Sequence, residues 1–171
     1  MSDGQTTDIG ALAVRFIAGC RAAGIMAATA ESCTGGMIAA AITDISGSSA
    51  VLDRGFVTYS NEAKMEMLGV SAKTLEAHGA VSGETAHEMA AGALAKSRAA
   101  IALAVTGIAG PGGGTAQKPV GLVWFGIAVE GRPVQTESRV FPDHGRAFIR
   151  GETVRTALEL AIAAVEAQPT A

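Results

Sequence analysis

Ile25-Met-Ala-Ala-Thr-Ala-Glu-Ser-Cys-Thr-Gly-Gly-Met-Ile-Ala-Ala-Ala-Ile-Thr-Asp-Ile45 reads as a strand, a glycine-containing turn and a helix. Ile25 to Ala30 is short and free of charge, as a strand buried on both faces is. Glu31 to Gly36 breaks that run, and Met37 to Ile45 returns to helical spacing. Upstream, Ile9, Leu12, Ala13, Phe16, Ile17 and Cys20 form a helical stripe over residues 7–23, with Thr6 or Thr7 as a cap and Gly24 at the end. A helix before a buried strand and another after it predict an α/β layering.

The rest of the chain repeats that alternation. Arg54 to Ser60 reads as a strand, Asn61 to Leu68 and Ser71 to His78 as short helices, and Ser82 as the cap of a longer helix through Lys96. Ala100 to Val105 is a second unbroken apolar strand, running into Thr106-Gly-Ile-Ala-Gly-Pro-Gly-Gly-Gly-Thr115. Val120 to Glu130 and Pro133 to Phe141 form a hairpin about Gly131-Arg132, and roughly 145–167 forms a last helix. Nothing in the composition marks a linker or a repeat, so 171 residues are read as one α/β domain.

A charged fraction of 17% against 49% hydrophobic is that of a folded chain rather than a disordered arm, and a net charge of −3 disfavours nucleic acid as a partner. No apolar run reaches the length of a membrane span, and the first eight residues lack a signal-peptide pattern. The two cysteines, Cys20 and Cys33, form no disulfide framework, so a cytoplasmic protein with reduced thiols is expected. Twenty-two glycines beside seven aromatic residues are the compositional oddity, with Tyr59 the single tyrosine.

Two glycine segments follow apolar strands: Thr34-Gly35-Gly36, and the run from Gly107 to Gly114. In open α/β sheets ligands sit at the carboxyl ends of strands, and bare backbone there approaches a ligand closely. Neither segment is a Walker P-loop. The exposed N–H groups at the start of the helix after Gly36 favour an anion, and the sequence leaves open which of the two segments takes one. His78, His87 and His144 are scattered and the cysteines unpaired, so no metal site is expected. Cys33 at a helix start is a candidate nucleophile. Glu31 is a candidate base, with capping of the helix dipole as the plainer alternative.

A third constellation is Gly47-Ser48-Ser49, Tyr59 and Lys64. A serine hydroxyl needs a neighbouring base, and a lysine serves if desolvation or a nearby cation lowers its pKa from about 10.4. Tyr59 at a strand end and Lys64 one turn into the next helix suit one cleft; the plainer alternative for Lys64 is a solvated surface lysine.

Ala30-Glu-Ser-Cys-Thr-Gly-Gly36, Gly47-Ser-Ser49, Gly55-Phe-Val-Thr-Tyr-Ser-Asn-Glu-Ala-Lys64, the Thr106–Thr115 run and Lys118-Pro-Val-Gly121 together resemble the CinA C-terminal domain family, over about residues 7–166. The resemblance implies a three-layer α/β/α sandwich around a mixed sheet. It also implies an amidohydrolase that converts nicotinamide mononucleotide to nicotinic acid mononucleotide and ammonia, in pyridine-nucleotide salvage and without a cofactor. The sequence shows no counterpart of the N-terminal molybdopterin-binding-like domain of full-length CinA, so the activity tied to that domain is not expected.

Carried over by motif, the family's machinery falls on Ser49 as nucleophile, Lys64 as its base and Tyr59 as orienting group or proton relay. Ser49 is preferred to Ser48 because alanine is common in the family at the first of the two positions. Ser32, Thr34, Gly35, Gly36, Ser48, Thr106, Gly107, Gly110, Gly112, Gly113 and Thr115 are then the expected nucleotide-binding positions, with Arg54 and Arg146 as further cations. Self-association into a homodimer or higher homo-oligomer is also implied. The alternatives are a non-catalytic nucleotide-binding module in competence or DNA-damage responses, and an amidase for another amide.

Overall fold

The computed structural model describes the backbone of residues 3–167, with side chains from Ile9 onward. Five strands form one mixed sheet in the order β2-β1-β3-β4-β5: β1 (Ala27–Glu31), β2 (Leu52–Val57), β3 (Ile101–Gly107), β4 (Leu122–Val129) and β5 (Gln135–Val140). The first three are mutually parallel, and β4 and β5 are antiparallel additions on one side. Parallel strands joined through helices must be covered on both faces. Accordingly β1 is buried at every residue and β3 at all but its last, whereas the edge strands β2 and β5 are mostly half-buried or exposed.

Alternation of side chains assigns the two faces. Ala27 and Ile101, Leu103 and Val105 point to one side, where α1 (Asp3–Ala23), α2 (Met37–Thr43) and α6 (Arg146–Glu166) pack. Ala28, Ala30, Ala102 and Ala104 point to the other, against α3 (Asn61–Leu68) and α5 (Gly83–Ala95), with α4 (Ala72–His78) alongside α5. The result is the expected three-layer α/β/α sandwich. The second face is built almost wholly from alanine and glycine, which lets α5 approach closely: a β-carbon on Gly126 of β4 would stand 2.4 Å from the carbonyl oxygen of Ala86 in α5.

Helix starts follow side-chain chemistry. The hydroxyls of Ser60, Ser71 and Ser82 accept hydrogen bonds from the backbone N–H of Ala63, Thr74 and Thr85, capping α3, α4 and α5. The N-terminal helix differs from expectation: it begins at Asp3, ahead of the cap predicted at Thr6 or Thr7. The strand predicted over 54–60 runs over Leu52–Val57 instead, because the chain turns away once Thr58 N–H has donated to Glu31 O. Among the described residues no helix is long and apolar enough to cross a membrane.

Candidate active site

The carboxyl ends of β1, β2 and β3 lie side by side, and the segments leaving them enclose a cleft of about 220 Å³. Ser32, Tyr59, Lys64, Thr106, Gly107 and Arg146 contribute polar groups or bare backbone to it, with Cys33, Ala80, Val81 and Ala109 completing the wall. A larger groove of about 680 Å³ lies between β4–β5 and α6, but its walls carry no serine, cysteine or lysine.

Lys64 dominates the floor of the cleft. The Ser60 cap starts α3 so that its fourth residue points back under the sheet edge, and Lys64 is 1% exposed. Its Nζ donates to Thr58 O at 2.8 Å and Tyr59 O at 3.3 Å, and lies 3.0 Å from Ser32 Oγ. Burial pulls its pKa below the ordinary lysine value, since a desolvated ammonium loses hydration; the neighbouring Cys33 acts weakly in the opposite direction. A neutral amine has two N–H bonds and one lone pair. The two carbonyls take the N–H bonds, which leaves the lone pair for the proton of Ser32. A buried amine within hydrogen-bond reach of a serine hydroxyl is an arrangement able to activate that hydroxyl.

Ser49 stands elsewhere. It is exposed in the 3₁₀ turn Ser48–Ala50, which leads into β2 at Leu52, whereas Tyr59 and Lys64 follow the opposite end of that strand at Val57. Five residue steps at about 3.3 Å put about 17 Å of strand between the two ends. The structure brings Tyr59 and Lys64 together as expected and does not bring Ser48 or Ser49 to them; the hydroxyl beside the lysine belongs to Ser32, which sequence reading had placed among the nucleotide-binding positions.

The turn after Ser32 is tied down by two charged side chains. Glu31, 1% exposed, accepts from Thr34 Oγ1 at 2.6 Å, Ile38 N at 2.8 Å and Ala39 N at 3.0 Å. It caps α2, so the carboxylate already occupies the N–H groups that made this helix start attractive for a phosphate. Thr34 is fully buried with its hydroxyl committed to Glu31, while Gly35 and Gly36 adopt left-handed φ of 59° and 105° to turn the chain into α2. From the other side Arg150 donates to Cys33 O and Thr34 O, both at 3.0 Å. The Cys33 thiol, pushed up to about 11 by burial, stays protonated and is a poor nucleophile. Replacing Arg150 with alanine is expected to lower kcat about 10- to 100-fold while KM changes little, because a small displacement of the serine is costly. Steady-state kinetics beside a thermal melt of the variant checks this, and an unchanged kcat would refute it.

The second glycine segment divides. Thr106, 1% exposed, donates to Ala80 O at 2.7 Å and lines the cleft with Gly107, whose α-carbon faces Val123 so closely that a β-carbon would meet its Cγ2 at 2.7 Å. Gly110 offers its carbonyl to Arg146 Nη1 at 2.9 Å. Gly112, Gly113 and Thr115 are exposed beyond the cleft walls, with the Thr115 hydroxyl accepting from Lys118 N. Arg146 Nη2 also donates to Tyr59 Oη at 2.9 Å. Of the two expected cations, Arg146 lines the cleft and Arg54 is committed to Asp53 and to Lys96 O on the outer edge of β2.

The profile of the CinA C-terminal domain matches residues 10–165. The chain belongs to that family. It is 58% identical over 130 residues, 76% of this chain and 79% of the relative, to the nicotinamide-nucleotide amidohydrolase PncC of Enterobacter agglomerans. It is 62% identical over 109 residues to a CinA-like protein of Chloroherpeton thalassium, covering 64% of this chain but only 26% of that longer one. A competence/damage inducible protein from Agrobacterium tumefaciens superimposes with a TM-score of 0.89 at 58% identity, covering 91% of this chain and 94% of the other. One from Klebsiella pneumoniae does so with a TM-score of 0.90 at 37% identity, covering 94% and 99%.

Proposed function

We propose that this CinA-family chain hydrolyses the carboxamide of nicotinamide mononucleotide, with Ser32 as nucleophile and Lys64 as its base. The observation that carries this reading is the 3.0 Å contact between Lys64 Nζ and Ser32 Oγ in a buried setting that favours the neutral amine. The names borne by PncC relatives at 58% and 59% identity supply the substrate.

Lys64 takes the proton from Ser32 as Oγ attacks the amide carbon. The tetrahedral intermediate collapses as Lys64 returns that proton to the leaving nitrogen, releasing ammonia and an ester on Ser32. Water, deprotonated by the same amine, then attacks the ester; nicotinic acid mononucleotide departs and the proton returns to Ser32. Backbone amides of the turn after Ser32 stabilise the oxyanion, a class of contact worth about 3–4 kcal/mol per donor. Tyr59 contributes through both ends: its carbonyl orients Lys64, and its ring, 60% exposed, forms the lip of the cleft with its hydroxyl on Arg146. This hydroxyl has no bond to Ser32 or Lys64, which favours a positioning role over a proton relay.

Purified protein incubated with nicotinamide mononucleotide should release ammonia and nicotinic acid mononucleotide in equal amounts. Binding of the nucleotide with no release would favour a non-catalytic module, and faster release from another amide would reassign the substrate.

A further inference from the structure

We propose that Arg146 is the residue by which the cleft selects a phosphorylated substrate over its unphosphorylated counterpart. The inference rests on the amidase reading above and names the group that recognises the far end of the substrate.

The cleft is free of acid. Its lining holds Lys64 and Arg146 as the only ionisable side chains besides Cys33 and Tyr59, and no Asp or Glu. Burial disfavours the charged form of Lys64, whereas the guanidinium of Arg146 is a permanent cation in this lining. Five other arginines, Arg15, Arg54, Arg98, Arg139 and Arg155, each face a carboxylate, and Arg150 is spent on the carbonyls of Cys33 and Thr34 outside the cleft lining. Arg146 touches only neutral acceptors, Gly110 O and Tyr59 Oη, and among the described residues no carboxylate pairs with it. An uncompensated guanidinium in a concave site, on a chain of net charge −3, attracts an anion. Two of its five N–H bonds are used, leaving three in the planar fork that suits a phosphate.

Its position fits the substrate. Tyr59 reaches from Lys64, which donates to its carbonyl, to Arg146, which donates to its hydroxyl. The cation therefore stands about one tyrosine side chain from the serine and lysine. In nicotinamide mononucleotide the carboxamide and phosphate lie at opposite ends, with the ribose between. An amide on Ser32 thus directs the phosphate toward Arg146.

The test measures kcat/KM for nicotinamide mononucleotide and nicotinamide riboside with wild type, Arg146→Lys and Arg146→Ala. Loss of the guanidinium loosens its contacts to Tyr59 and Gly110 for both substrates, so the readout is the preference for nucleotide over riboside. That ratio should fall about 10- to 150-fold in Arg146→Ala, as loss of a hydrogen bond to a charged group requires, and by less in Arg146→Lys. A ratio unchanged while both substrates slow together overturns the proposal. A second arm uses ribose 5-phosphate, which has no amide: millimolar concentrations should raise the melting temperature of the wild type and not of Arg146→Ala. No rise in the wild type also overturns it. If the second arm succeeds while wild type leaves nicotinamide mononucleotide intact, the amidase reading fails and the anion site stands.

Discussion

Ser32→Ala should lose amide hydrolysis by about ten-thousand-fold or more, while Ser49→Ala runs close to the wild-type rate. Removing a nucleophile that acts with its base as a unit costs nearly the whole of covalent catalysis. The two serines separate cleanly because only Ser32 is within reach of Lys64, at 3.0 Å, whereas Ser49 is exposed at the far end of β2. The substitution at Ser32 removes one atom from a position 8% exposed, so the variant should retain its melting temperature. Ammonia release gives the rate, and intact-mass analysis of quenched turnover should show an acyl adduct on the wild type and none on Ser32→Ala. A Ser32→Ala enzyme with substantial turnover, or an adduct that survives that substitution, would return the nucleophile to another residue.

Lys64→Met should be comparably inactive, and the wild type should carry the signature of a buried base. As pH rises through the lowered folded pKa of Lys64, the amine loses its proton and becomes able to accept one from Ser32, so kcat/KM climbs along a limb lying below the ordinary lysine value of 10.5. Stability moves in the same direction. Between the lowered folded pKa and 10.5 the unfolded chain holds a proton that the folded one has released, so raising pH through that window favours the folded state. The melting temperature of the wild type relative to Lys64→Met should therefore rise toward pH 10.5 and fall back below the folded pKa. A wild-type rate flat with pH below 10.5, or a difference in melting temperature that does not change across the window, would show that Lys64 is not the titrating base.

The layering, the Ser82 cap and the placement of Tyr59 and Lys64 at a strand end and helix start were legible in the sequence, because each depends on neighbours a few residues away; the caps at Ser60 and Ser71 emerge only from the structure. The pairing of nucleophile and base was not. Gly47 to Lys64 is a compact stretch on paper, but β2 runs through it and carries Ser49 and Lys64 to opposite ends of that strand. Ser32 is 32 residues from Lys64 and yet beside it, because parallel pairing of β1 with β2 brings Glu31 level with Val57. In a parallel sheet, nearness along the chain predicts separation when a strand intervenes. Glu31 misled for a related reason: the α2 start had the chemistry of an anion site, and the anion proved to be the protein's own carboxylate.

The grip of α6 on the site sets an order of events in the making of the molecule. Arg146 and Arg150, one turn apart, reach back across 87 residues to Tyr59 and 117 to Cys33, so the nucleophile's turn and the lip of the cleft are both secured from the last helix. Contacts so distant in sequence are entropically the slowest to close. Hydrolytic competence accordingly waits for α6 to dock, and a chain with its sheet built but that helix unplaced is a spectator to the nucleotide pool around it.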